Sequence, residues 1–331
     1  MNQQHSRRSF LKTASTLALA TAAGGAGVVS SLPRIAQAQG PIERVGSSSL
    51  KVSLNAYSFS KLLNDYNKKR GPGVSLMALL DFCAKNNFDA IDPTGYFFPS
   101  YPEVPTDEYV NTFKRRAFEL GLGISGTGVR NNFTTSDKAV RAAAVQHIKE
   151  WVEVAARLGA PVLRVFADTQ MRSMTWHDVA KGCTRDQVQV WIVDALKDCS
   201  EHGKKYGVII GVQNHGDFLQ SGDELLALIN GVGSDYCGAI VDTGYFKTPD
   251  PYADMAKVAP YAVNWQIKQS PFGEDSEIPT DLVKLLKIVR ASTYRGYLPI
   301  ETLSPKTKVY DPFTVVPAFL KQLRDAIAQT A

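Results

Sequence analysis

The chain has 331 residues and a formal net charge of +5, and 44% of its residues are hydrophobic. Residues 1–38 contain four basic and no acidic residues, so the remaining 293 residues carry a net charge of only +1. A chain this close to neutral has no basic field of the kind that binds nucleic acid. A length of 293 residues is long for one ordinary domain but normal for an α/β barrel.

The first 38 residues have the organisation of an export signal. Arg7 and Arg8 precede a mildly apolar run rich in Ala, Gly and Thr, which ends at the small-residue cleavage pattern Ala36–Ala38. The run is too short and too weakly hydrophobic for a membrane span. This segment resembles a bacterial twin-arginine signal peptide, a route that carries folded proteins. We therefore expect a periplasmic protein whose single mature domain is residues 39–331, with no membrane attachment once the signal is removed.

From residue 52 onward, short apolar runs alternate with amphipathic segments, a pattern that predicts β/α units around a parallel sheet. Capping boxes at Thr184–Gln187 and Ser221–Glu224 mark two helix starts. Eight units without a break in composition favour a closed (β/α)8 TIM barrel. An open doubly wound sheet is the alternative, weakened by the lack of a GxGxxG turn after the first strand. The predicted strands are Val52–Tyr57, Phe88–Asp92, Gly123–Gly126, Val162–Phe166, Val208–Val212, Gly238–Val241, Ala262–Lys268 and Gly296–Glu301. The predicted helices are Ser75–Asn86, Thr106–Leu120, Ser136–Leu158, Thr184–Tyr206, Ser221–Ile229, Pro251–Val258, Thr280–Ala291 and Pro312–Ala328, and residues 57–74 are predicted as a loop.

Polar residues stand at the carboxyl ends of several predicted strands. In a parallel barrel these ends surround one mouth, so residues far apart in the chain converge there. The last four strands are the most informative. Their ends supply Gln213 and His215, then Asp242 and Tyr245, then Gln266 and Lys268, and finally Glu301.

Three motifs make the chain similar to the xylose isomerase-like TIM barrel superfamily, which contains sugar phosphate isomerases, ketose 3-epimerases and endonuclease IV. They are Asn214-His215-Gly216, Val241-Asp242-Thr243-Gly244 and Tyr297-Leu298-Pro299-Ile300-Glu301. The resemblance covers the whole mature chain and implies one divalent metal held by the strand ends. The epimerase branch uses Glu, Asp, His and Glu as ligands. The residues at the corresponding positions of this chain are Gln213, Asp242, Gln266 and Glu301.

Two of these implied ligands are glutamines, which departs from the family pattern. An amide oxygen can bind a hard cation, but it carries no charge and cannot act as a base. The set therefore favours Mn, Mg, Co or Ca over Zn. It also excludes a proton exchange between two metal-bound glutamates, because Gln213 stands in one of those places.

The predicted catalytic residues are Glu301 and His215. His215 lies two residues after Gln213, so an extended strand points both side chains into the mouth, and an imidazole can move protons near neutral pH. A packing role is the alternative for His215. We expect Lys268 to neutralise an oxyanion or to pair with Asp242 or Glu301. The predicted substrate-binding residues are Asp92, Lys268, Tyr245 and Arg164, although Arg164 lies inside a strand and a buried charge there needs a partner.

The expected activity is metal-assisted proton transfer next to a carbonyl of a free or keto sugar. Because the protein is expected to leave the cytoplasm, a sugar phosphate is a poorer candidate substrate. Three alternatives stay open at this point: a lyase or hydratase acting on a keto-sugar derivative, a non-catalytic carbohydrate-binding protein with a degenerate site, and a nuclease. Only four histidines follow residue 38, too few for a nuclease with several metals. The expected partner is a small carbohydrate, and a homo-oligomer is possible.

Overall fold

The computed structural model describes residues 40–169, 173–303 and 309–331. The predicted signal peptide lies outside these residues. Strands and helices alternate through the described part of the chain. The strands are β1 Ser49–Asn55, β2 Ala90–Asp92, β3 Gly123–Ile124, β4 Thr127–Gly128, β5 Val162–Phe166, β6 Ile209–Gln213, β7 Cys237–Asp242, β8 Ala262–Gln266 and β9 Arg295–Ile300. The α-helices are α1 Ser60–Asn67, α2 Leu76–Lys85, α3 Asp107–Glu119, α4 Lys138–Leu158, α5 Trp176–Ala180, α6 Arg185–Tyr206, α7 Gly222–Val232, α8 Pro251–Val258, α9 Leu282–Ala291 and α10 Pro312–Gln329.

The strands form two parallel sheets that join at both sides. One sheet has the order β3-β2-β1-β9 and the other β4-β5-β6-β7-β8. The short stretch that holds β3 and β4 pairs with β2 on one side and with β5 on the other. At the opposite junction, Ile267 just after β8 pairs with Ile300 of β9 through a single parallel bridge. The structure therefore confirms the predicted (β/α)8 barrel rather than the alternative, an open doubly wound sheet.

The helices cover the barrel with apolar stripes. On α4, for example, Ile148, Trp151, Val152 and Ala155 recur at helical spacing, and all four are buried. The helix begins at Asp137, whose side chain accepts hydrogen bonds from two backbone amides, and it ends at Gly159 in the left-handed conformation. Among the described residues, no helix is both long and apolar enough to cross a membrane.

Two short helices are absent from the sequence prediction. Helix α1 lies inside the segment 57–74 that the sequence predicts as a loop, and helix α5 follows β5. Leu63 is the single buried residue of α1. A helix that buries so little has no apolar repeat, so hydrophobic periodicity does not reveal it. Both helices belong to the loops that follow strand ends, where they help to shape the barrel mouth.

The capping box of α6 allows a direct stability test. The Thr184 hydroxyl accepts a hydrogen bond from the backbone N–H of Gln187, and the Gln187 side chain accepts one from the backbone N–H of Thr184. Thr184 is exposed, so Thr184→Ala removes the cap without opening a cavity. We expect the free energy of unfolding to fall by about 1 kcal/mol. Urea unfolding followed by circular dichroism measures the change. Thr184→Ser keeps the hydroxyl and should match the wild type; an equal loss there would contradict the capping explanation.

Candidate active site

The four residues that the sequence predicts as metal ligands come together at the barrel mouth. Gln213 ends β6, Asp242 ends β7, Gln266 ends β8, and Glu301 immediately follows β9. Asp242 and Gln266 are direct neighbours in the pairing of β7 with β8. Each of the four residues is at most 6% exposed. The barrel therefore buries two carboxyl groups and two amides in one small region.

Lys268 joins the two carboxyl groups. Its Nζ lies 2.5 Å from Oε1 of Glu301 and 3.5 Å from Oδ2 of Asp242. The lysine side chain is 5% exposed, so water screens these contacts very little. Of the two roles expected for Lys268, the structure shows the ion pair, and it shows that pair with both acids.

Burial and neighbouring charges act in opposite directions on the pKa values of Asp242 and Lys268. Burial raises the pKa of Asp242 above its usual value, and the charge of Lys268 only partly opposes this. For Lys268, burial lowers the pKa, but the charges of Asp242 and Glu301 outweigh burial and leave its pKa above the usual value. Lys268 is therefore a cation at neutral pH. A buried cation of this kind depends on its acidic partners, because removing one leaves an uncompensated charge.

The two glutamine amides are engaged inside the mouth. Gln213 donates a hydrogen bond from Nε2 to Oδ2 of Asp242 at 2.5 Å. The Oε1 atom of Gln213 is buried and has no hydrogen-bond partner among the described residues. Gln266 accepts a hydrogen bond through Oε1 from Nδ2 of Asn55 at 2.8 Å. Gln213 thus turns its amide nitrogen toward the acid, and the oxygen of Gln266 already has a donor.

His215 forms a second polar pair with Asp168. Nδ1 of the imidazole lies 2.7 Å from Oδ2 of Asp168, which leaves Nε2 as the available ring nitrogen. The ring packs against Tyr245, with centroids 4.2 Å apart, and against Phe166 at 5.0 Å. The His215 side chain is 27% exposed. A carboxylate on one ring nitrogen fixes the tautomer and the orientation of the imidazole, which is the arrangement a general base requires.

A cavity of about 460 Å³ opens at the mouth. His215, Asp168 and Glu301 contribute polar groups to it, and Tyr96, Phe166 and Tyr245 contribute aromatic walls. Arg164 also lines the cavity, although it is only 2% exposed. Its Nε atom has no hydrogen-bond partner among the described residues. Nε itself is buried, but the guanidinium group borders the cavity and places a positive charge beside it, which suits an oxygen atom of a ligand.

Asp92 ends β2 as predicted, but it is not among the residues that line this cavity. It is 1% exposed, and burial raises its pKa to about 6, opposed by the charge of Arg164. Of the four predicted substrate-binding residues, Arg164 and Tyr245 border the 460 Å³ cavity. Lys268 borders an adjoining cavity of about 330 Å³, which Tyr245 and Glu301 also line. Asp92 is therefore buried and borders neither of these two cavities, and the charge of Arg164 favours its ionised form.

Residues 80–325 match the model of the xylose isomerase-like TIM barrel family. The chain belongs to this family. A search of the curated proteins finds no match.

Solved structures show the same fold at low sequence identity. The 3-keto-D-glucoside 4-epimerase YcjR from E. coli is 13% identical, with a TM-score of 0.65, and the match covers 84% of this chain and 99% of that one. A D-psicose 3-epimerase is 14% identical, with a TM-score of 0.64 and coverage of 85% and 98%. The IolI protein, whose structure contains a zinc atom, is 14% identical, with a TM-score of 0.65 and coverage of 85% and 99%.

The residues at this mouth do not fit the divalent metal that the family resemblance implies. Asp242 and Glu301 both bind an ammonium group, and Gln213 presents N–H rather than oxygen to Asp242. The ammonium group repels a divalent ion about 4 Å away by about 8 kcal/mol at an effective dielectric constant of about 20, which offsets the attraction of one of the two carboxylates. Among the described residues, no three His, Cys, Asp or Glu side chains are arranged to hold an ion.

Sequence reasoning missed Asp168. This residue stands two positions after the end of β5, so the rule that strand ends face the mouth identifies it once the strand is placed. Its contact with His215 depends on the following glycine. Gly216 has a φ of +75°, and a Cβ added there would lie 2.3 Å from Oδ2 of Asp168. The Asn214-His215-Gly216 motif of the family therefore holds the imidazole against the carboxylate.

The effect on stability of the close approach of Gly216 to Asp168 can be measured by comparison with Gly207, a matched glycine. Gly207 has nearly the same φ, +70°, but an added Cβ there meets nothing within 4 Å. We expect Gly207→Ala to lower the free energy of unfolding by about 1 kcal/mol through backbone strain alone. Gly216→Ala should lose at least about 2 kcal/mol, because the methyl group also collides with Asp168. Urea unfolding of both variants tests this, and equal losses would show that the contact is unimportant.

Proposed function

We propose that this protein is an exported sugar isomerase/epimerase-like enzyme that transfers a proton next to a carbonyl group of a free or keto sugar. The observation that carries the proposal is the placement of a His–Asp pair and a buried arginine on one cavity. Removing a proton beside a carbonyl requires a base, and the oxygen that gains negative charge requires a donor or a cation. The cavity offers both.

Each polar residue of the cavity has a separate role in the proposed reaction. Nε2 of His215 accepts the proton, and the carboxylate of Asp168 stabilises the imidazolium that forms. The charge of Arg164 at the cavity wall stabilises the carbonyl oxygen, whose negative charge grows as the C–H bond breaks. Aromatic rings on the cavity wall give the apolar face of a sugar a packing surface. No step of this scheme uses a metal ion.

A single base explains some sugar reactions better than others. An isomerase needs one base that moves a proton between neighbouring carbons on one face, and a dehydratase needs one base and a leaving hydroxyl. Inverting one carbon needs a second proton donor on the opposite face. Glu301 lines the same cavity and is the candidate for that role. Its Oε1 atom is bound to Lys268, however, so we propose His215 as the main base.

Two further points support the choice of substrate class. The similar folds include a 3-keto-D-glucoside 4-epimerase and a D-psicose 3-epimerase, whose names describe keto-sugar substrates. The twin-arginine segment at Arg7 and Arg8 leads us to propose a periplasmic location. A free or keto sugar is the more accessible substrate there than a sugar phosphate.

Solvent exchange tests the reaction directly. The protein is incubated in D2O with a panel of ketohexoses and 3-keto-glucosides, and NMR follows the hydrogens next to each carbonyl. We expect exchange with at least one sugar, and His215→Asn should slow it by about 100- to 10,000-fold. The matched control is His177→Asn, because His177 is exposed and stacks on Trp176 rather than facing the cavity. That variant should exchange at the wild-type rate.

Other outcomes separate the alternatives. Loss of water from the sugar, seen as a new unsaturated product, would identify a lyase. Tight sugar binding without exchange across the whole panel would contradict catalysis and favour a carbohydrate-binding protein. A wild-type rate in His215→Asn, with exchange lost in Glu301→Gln, would transfer the main proton-accepting role from His215 to Glu301.

A further inference from the structure

We propose that Lys268 is the resident cation of this barrel mouth and that the site works without a metal ion. The ammonium group takes the place between Asp242 and Glu301 where the family resemblance implies a divalent ion. The structural part of the proposal stands on the contacts of the lysine. Its catalytic part, the stabilisation of an oxyanion, rests on the proposed function.

Four consecutive residues, beginning with the last residue of β7, are arranged around this one lysine. Asp242 faces the ammonium group at 3.5 Å, and Oγ1 of Thr243 accepts a hydrogen bond from the backbone N–H of Lys268 at 2.8 Å. A Cβ added at Gly244 would lie 2.8 Å from Cγ of Lys268, so the lysine stem needs the glycine. The ring of Tyr245 has its centroid 5.4 Å from Nζ. The Asp-Thr-Gly-Tyr segment thus fixes the backbone, the stem and the charge of Lys268.

The backbone of Lys268 is also held from the other side. Its carbonyl oxygen accepts a hydrogen bond from Oγ1 of Thr280 at 2.8 Å. With both backbone groups bonded and the side chain 5% exposed, the lysine is a built part of the mouth rather than a mobile surface residue. Its ammonium group stays at the acids because leaving them would strand two buried carboxylates.

Gln213 follows from the same substitution when charges are counted. Three carboxylates, one neutral imidazole and a divalent ion together carry one net negative charge. In this chain, two carboxylates and one ammonium group also carry one net negative charge. A monovalent cation in place of a divalent one therefore requires the loss of one carboxylate, and Gln213 stands where that carboxylate would be. Gln213 and Lys268 are therefore one change in the charge of the site, whereas Gln266 stands in place of a neutral imidazole and leaves the charge unchanged.

The ammonium group is placed to act on substrate oxygen. Lys268 lines the cavity of about 330 Å³ that adjoins the larger one, with Tyr245 and Glu301 in both linings. In the proposed reaction the C–H proton goes to His215, the electron pair of that bond forms a C=C bond with the carbonyl carbon, and the π pair of the C=O bond moves to the oxygen. The resulting oxyanion lies in the field of a fixed cation, as it does beside a metal ion, and no co-reactant is required.

Binding of Mn²⁺ to the full chain after EDTA treatment tests the proposal without any substrate. We expect no saturable Mn²⁺ binding by the wild type in calorimetry and no rise of its melting temperature. Lys268→Ala removes the ammonium group and leaves two carboxylates facing free space. This variant should bind Mn²⁺ at least about 10-fold more tightly than the wild type, and added Mn²⁺ should raise its melting temperature. Adding Asp242→Asn to this variant should abolish both effects.

Two further variants make the result decisive. Lys257→Ala removes an exposed lysine paired with Asp223 and should behave like the wild type with Mn²⁺. Lys268→Gln keeps an N–H donor for Glu301 and replaces Lys268→Ala if the latter does not fold. Stoichiometric Mn²⁺ binding by the wild type that Asp242→Asn abolishes would overturn the proposal. A folded Lys268 variant without any gain in Mn²⁺ affinity would overturn it as well.

The catalytic part has its own readout. With a sugar that the wild type exchanges, EDTA should leave the rate unchanged, whereas Lys268→Ala should lower it by at least about 100-fold. Loss of exchange on chelation, restored by Mn²⁺, would overturn the metal-free mechanism. If no sugar is exchanged at all, the proposed function fails, while the Mn²⁺ measurements still decide whether Lys268 is the resident cation.

Discussion

The ion pair of Lys268 with Asp242 and Glu301 is the interaction on which the rest of the mouth depends. These residues lie at the ends of β7, β8 and β9, and β8 meets β9 through a single bridge between Ile267 and Ile300. Lys268 therefore links neighbouring strand ends at one of the two junctions between the sheets. Because both acids are buried, none of the three groups can move without exposing an unpaired charge to a medium of low polarity. The same ion pair thus orders the mouth and helps to close the barrel.

Tyr245 connects this ion pair to the proton-transfer pair. Its ring stacks on His215 at 4.2 Å and lies 5.4 Å from the ammonium group of Lys268. Burial, together with the charges of Asp242 and Glu301, raises the pKa of the phenol, so it remains neutral. Tyr245 thereby fixes the distance between His215, the proposed base, and the ammonium group of Lys268. The barrel divides its chemistry between two neighbouring clusters: Asp168 restrains His215, and Asp242 and Glu301 together restrain Lys268.

Much of the fold and part of the site follow from local sequence patterns. Strand β5 and helix α8 begin and end where the sequence predicts, because β-branched runs, caps and prolines act over a few residues. The positions of Gln213, Asp242 and Glu301 at strand ends follow from the parallel barrel in the same way. Helix α1 was missed because a helix with one buried residue has no apolar period. Asp168 was missed because a lone acid after a strand resembles an ordinary loop residue.

The amino-acid sequence by itself determined the barrel, the chain positions of its strand ends and the presence of two glutamines among the implied ligands, since these depend on residue type and spacing. Only the tertiary structure decided what those residues do. Gln213 turns its amide nitrogen to Asp242, Lys268 sits between two acids, and Asp168 binds His215. Spacing along the chain does not determine the direction of a side chain at a strand end. That direction is set by the charges and hydrogen-bond partners that the neighbouring strands bring to it.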